Sequence, residues 1–184
     1  MNPTGEFELS ILMQGGVVAA PPPEEGPVVC VITTLEELRA ATCQVAASAK
    51  RLMSIYTPDL EPDVYDQTAF LDIIKRFVLS RNYARVRLLL GSQLRLMRDA
   101  PRLVAMGRRL TSYIDIRVLL PKSPKPTTAC VIADDRAIVW RPDASKWDGI
   151  ANFDNPPVAR THLIEFETLW DANMPDDVRR AAQR

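Results

Sequence analysis

The chain has 184 residues, 47% hydrophobic and 25% charged, the size of one domain with ordinary globular composition. No apolar run reaches the roughly 18 residues of a membrane span, and the opening segment lacks the basic leader and continuous apolar core of a secretory signal, so a cytoplasmic protein is expected. Net charge is zero but unevenly placed: thirteen Lys or Arg stand between Lys75 and Lys125 against only Asp99 and Asp115, with net acidic segments on both sides. That distribution predicts either one positive face suited to an anion or solvated helix sides neutralised by the acidic flanks.

Residues 1–27 end in "APPPEEGP", where successive prolines exclude a helix or a central strand, and read as a tail or linker ahead of a domain over 28–173. "VVCVITT" is a β-branched run that predicts a strand. "TLEELRAATCQVAASAKR" follows with helical spacing at Leu35, Leu38, Ala41, Val45 and Ala49, and Thr34 with Glu37 forms a capping-box signature at its start. "RLMSIYTPDL" predicts a strand over Leu52 to Tyr56. "PDVYDQTAFLDIIKRFVLSR" predicts one helix, with Phe70, Ile73, Ile74, Phe77 and Val78 on its apolar face. Asp59, Glu61, Asp63 and Asp66 lack the spacing of a calcium loop and read as a solvated acidic turn, so no metal is assigned. "ARVRLLLG" and "IDIRVLLP" are strands separated by a helix around "RDAPRLVAMGRRLTSY". Repetition of strand, helix, strand predicts an α/β class with a mostly parallel sheet and helices on both faces.

The last third differs. "TTACVIADDRAIVWRP" holds two apolar runs around Asp134, Asp135 and Arg136, the composition of a C-terminal β-hairpin. "DASKWDGIANFDNPPVAR" has no periodicity and reads as a long loop carrying Trp147 and Phe153. "THLIEFETLWDAN" regains helical spacing at Leu163, Phe166 and Trp170, and residues 174–184 form a charged tail. Cys30, Cys43 and Cys130 have no paired spacing and read as buried free thiols.

The order of "LMSIYTPDL", "AFLDIIKRFVLSRNYARVRLLLG", "IDIRVLL", the hairpin and the terminal "FETLW" resembles one half of a phospholipase D-like protein over residues 30–172. The resemblance implies a phospholipase D-like sandwich and a motif HxKxxxxD, followed by Gly-Ser and an Asn. In that motif a histidine attacks phosphorus, a second histidine protonates the leaving oxygen, and lysine and asparagine hold the nonbridging oxygens. Setting Asp134 at the motif's aspartate places Thr127 at the histidine and Ala129 at the lysine. Arg141 and Pro142 then replace Gly-Ser, and Ala144 replaces the asparagine. A shift to Asp135 gives Thr128 and Cys130 and restores neither group.

The expectation is therefore a catalytically silent domain that binds an anionic ligand or a protein partner, with no cofactor. Arg136, Arg141, Lys146 and Arg160 border the former cleft as candidate ligand-binding cations, and Trp140, Trp147 and Phe153 offer stacking surfaces. Asp134 and Asp135 read as turn residues whose carboxylates accept backbone hydrogen bonds. Two other readings stay open. One is a divergent phosphodiesterase or phosphatidyltransferase using His162 and Asp134 in a homodimer, the pairing of halves that the resemblance implies. The other is a nucleic-acid-binding module using the basic central segment. Neither Thr127 nor Cys130 has the base or electropositive setting that a nucleophile needs, and His162 otherwise reads as a packing or helix-terminus residue.

Overall fold

The computed structural model describes residues 28–92 and 102–173; the tails expected over 1–27 and 174–184 lie outside the described residues. Strand β1 (Val29–Ile32) leads into helix α1 (Leu35–Ser48), whose start carries the anticipated reciprocal cap. Glu37 N–H donates to Thr34 Oγ1 at 3.2 Å, and Thr34 N–H returns to Glu37 Oε2 at 3.1 Å. These bonds satisfy two amides that the first helical turn leaves without partners. The Thr33 amide first, then the Thr33 hydroxyl and the Thr34 amide, hold the Glu37 carboxyl below its usual range.

Strand β2 (Leu52–Thr57) joins the two parts of the sheet, parallel to β3 (Arg85–Leu90) on one side and antiparallel to β5 (Ala129–Ala133) on the other. Between β2 and β3 stand two helices, α2 (Pro62–Tyr65) and α3 (Thr68–Ser80), not the single helix expected. The break falls at Asp66 and Gln67. Arg102 grips Asp66 through both Oδ1 (2.9 Å) and its carbonyl (2.5 Å), and Gln67 turns back to donate to the Pro62 carbonyl at 3.2 Å. These contacts tie down the backbone where α2 ends.

Helix α4 (Arg102–Arg109) precedes β4 (Ile114–Val118), and β5 and β6 (Ala137–Arg141) form the expected hairpin. Two elements occupy the segment read as a loop. Strand β7 (Gly149–Asn152) pairs antiparallel with both β6 and β1, and α5 (Pro156–Ala172) starts several residues before the first recognisable period. "GIAN" is too short to alternate visibly. The "NPP" that suggested a loop is a helix start, with Asn155 as cap accepting from Val158 N–H and proline where no amide partner is needed.

The sheet order is β1-β7-β6-β5-β2-β3-β4. The α/β class stands, but "mostly parallel" does not: β2–β3 and β3–β4 are the parallel pairs, and the remaining four are antiparallel. The chain returns from β4 to the far side of β2 and meanders outward, and β1 caps the meander instead of joining β2. Helices do lie on both faces, unequally. Four pack with Phe70, Ile74, Leu38 and Val45 over one face, and α5 alone covers the other through Ala159, Phe166 and Trp170. No described helix is long and apolar enough to cross a membrane.

The hairpin turn is locked to the core by Asp134, which adopts a left-handed φ of 53°. Its carboxylate accepts from the backbone N–H groups of Lys50, Arg51 and Leu52 at 2.8 to 2.9 Å, tying the turn to the start of β2. Asp134→Ala is expected to lose about 2–3 kcal/mol of unfolding free energy, since three donors lose a charged acceptor. Asp134→Gly, which relaxes into the left-handed backbone, should lose about 1 kcal/mol less. Urea denaturation of the two variants checks both values.

Candidate functional site

Thr127, Ala129, Arg141 and Ala144 lie together at one end of the hairpin. Ala129 pairs with Arg141 across β5 and β6, and Ala144 N–H donates to the Thr127 carbonyl at 2.8 Å. Asp134 lies at the opposite end of β5, five residues or roughly 16 Å away, with its carboxylate filled by the three amides described above.

What occupies this end is a buried ion pair. Arg141 is 1% exposed and Glu61 8%, and Arg141 Nη2 donates to both Glu61 carboxylate oxygens at 2.5 and 2.6 Å. Nη1 of the same guanidinium donates to the carbonyls of Lys146 (2.7 Å) and Ala144 (3.3 Å), and Thr57 Oγ1 donates to Glu61 Oε2 at 3.1 Å. Glu61 therefore belongs to the core and not to a solvated acidic turn. Tyr65 closes the cluster; burial first, then the adjacent Glu61 charge, push its hydroxyl well above the usual phenol range. Gly149 lets β7 approach, because a Cβ there would stand 2.6 Å from Arg141 Cγ and from the Trp140 carbonyl oxygen.

The other candidate cations are dispersed. Arg136 pairs with Asp154 at 2.6 Å and Arg160 with Asp135 at 2.7 Å, both at the turn end of the hairpin, a strand length from Arg141. The Arg160 hydrogen bond holds the Asp135 carboxyl below its usual range. Lys146 is exposed beside the Arg141 end. Trp140 faces α5, where its ring stacks on His162 at 5.2 Å, whereas Trp147 and Phe153 pack against the core on the opposite face. The three aromatics thus share no stacking surface.

His162 lies inside α5, its Nδ1 3.1 Å from Glu165 Oε2, on the face of the sheet away from Arg141. Cys130 is buried, and desolvation pushes its thiol up to about 12, so it carries no thiolate near neutrality. Cys30 and Cys43 are free as expected but only half-buried.

The sequence reading missed Glu61, the partner that decides what Arg141 does; the two lie 80 positions apart with no local signal linking them. Breaking the pair from either side leaves a charge buried without its counter-ion, a loss of about 3–5 kcal/mol. Arg141→Met and Glu61→Gln are each expected to fall in that range by urea denaturation, and the double variant to lose less than their sum. Single variants within about 1 kcal/mol of the parent would contradict this.

None of the curated proteins matches the chain. Among solved structures it is similar to TrmBL2, an archaeal chromatin protein with a novel mode of DNA binding, at 13% identity and a TM-score of 0.56. The match covers 81% of this chain and 54% of that one, so the likeness is one of fold, and this chain spans about half the length of that structure. Residues 34–181, which take in α1 through α5 and all the strands but β1, match the model of a domain of unknown function, DUF7931, and the chain belongs to that family.

Proposed function

We propose that this domain is a catalytically silent relative of phospholipase D-like proteins that binds a polyanion, nucleic acid in class, without hydrolysing phosphodiesters. The observation that carries the reading is the Arg141–Glu61 pair at the motif end of the hairpin. Displacement at phosphorus needs a nucleophile, a proton donor and cations for the nonbridging oxygens. Thr127 and Ala129 supply neither imidazole nor amine, and the guanidinium beside them is neutralised by Glu61 and capped by two carbonyls.

The family resemblance is supported by the hairpin, by the closing aromatic helix and by the meeting of Ala129 with Arg141 and of Thr127 with Ala144. Nucleic acid comes first among polyanions because a protein of similar fold, TrmBL2, binds DNA. A dimeric enzyme working through His162 is disfavoured by the ring's place: it stacks on Trp140 on the other side of the sheet from the motif residues.

Purified protein is expected to show no turnover of bis(p-nitrophenyl) phosphate above buffer, with His162→Ala indistinguishable from the parent. Turnover abolished by His162→Ala would overturn the silent reading in favour of the enzyme.

A further inference from the structure

The cations in and beside the hairpin and those along α1, α3 and α4 are used differently. Arg136, Arg141 and Arg160 each face a carboxylate at 2.7 Å or less. Three adjoining clefts of 570, 560 and 380 Å³ run instead from the C-terminal end of α1, over the outer face of α3, to α4. The first two share Arg76 and Ser80, and the last two share Lys75 and Leu79, so they form one continuous belt. Lys50, Lys75, Arg76, Arg81, Arg102 and Arg109 line it, against the single carboxylate of Asp72. Arg102 is paired with Asp66; among the described residues the other five form no ion pair.

We infer that this belt is the nucleic-acid surface, and that its ligand is the phosphodiester backbone of a duplex and not a single strand. The inference rests on the nucleic-acid reading above and goes on to fix site and form. Helix α3 has 13 residues and runs about 20 Å, a length over which a duplex presents roughly twelve phosphates, enough for every cation of the belt. Single-strand binders interleave cations with rings on which bases stack. The ring lining this belt is Phe77, which is 6% exposed, and the three tryptophans are packed elsewhere. Contacts limited to phosphates give affinity without sequence choice, and each neutralised phosphate adds a released counterion.

Fluorescence anisotropy of the full chain with a labelled duplex, and with a single strand of equal phosphate number, tests this over a range of salt. Five engaged cations predict a slope of log K against log salt of about −4 to −5 for the duplex, with single-strand binding weaker by about fivefold or more. K75Q/R76Q/R109Q should lose at least about tenfold in affinity and flatten the slope by about 2.7, whereas R136Q/R160Q should match the parent. Circular dichroism establishes that both variants are folded.

Parent binding that survives the triple substitution would overturn the belt and leave the nucleic-acid reading standing. Parent binding to the single strand as tightly as to the duplex would overturn the choice of duplex. No binding to either at low salt would overturn both readings. Sedimentation with phosphatidylglycerol vesicles, lost in the triple variant while duplex is ignored, would assign the belt to a lipid surface and overturn the inference.

Discussion

The Arg141–Glu61 contact is the constraint around which one end of the molecule is arranged. A guanidinium 1% exposed needs its donors answered within the protein, and here the partners come from two segments. Glu61 brings in the turn after β2; the carbonyls of Ala144 and Lys146 bring in the loop after β6. With that loop held down, Gly149 can place its backbone against Arg141, β7 pairs with β6, and β1 finds its partner at the edge. One interaction thus links the turn after β2 to the seating of the outer strands.

Arginine plays two separable parts in this fold. On the sheet it is a structural residue: Arg117 lies 3.9 Å over the Trp170 ring and donates to its carbonyl, and Arg87 bonds Ser54 and Glu167 beside Phe166. These arginines hold α5 to the exposed end of β3 and β4 through cation–π and charge contacts. On α3 and α4 the cations project from the faces opposite the buried Phe70, Ile74, Leu103 and Val104, with little acid near them. A chain of zero net charge thus carries a belt of cations on α3 and α4, while Asp115, Asp154 and Asp135 pair with arginines elsewhere.

Features determined by neighbours in sequence were legible. The Thr34–Glu37 cap, the β5–β6 hairpin with its Asp turn, and the apolar faces of α1 and α3 follow from spacings of two to four residues. Features determined by distant partners were not. The antiparallel return of β5 onto β2 depends on the sheet order, and the break between α2 and α3 depends on Arg102, 36 positions from Asp66. At the site, the identities of Thr127 and Ala129 and the basic composition of residues 75–125 were legible in the sequence. Which arginines were already neutralised was not, because Asp154, Asp135 and Glu61 reach Arg136, Arg160 and Arg141 only through the fold.

The most direct measurement is an amide NMR titration of the labelled domain with duplex DNA. Shifts are expected to concentrate in α3, α4 and the end of α1, with the amides of residues 127–146 unmoved beside their ion pair. Shifts centred on 127–146 and the turn at Glu61 would mean that the pair opens to ligand, and would contradict the claim that this cleft is closed.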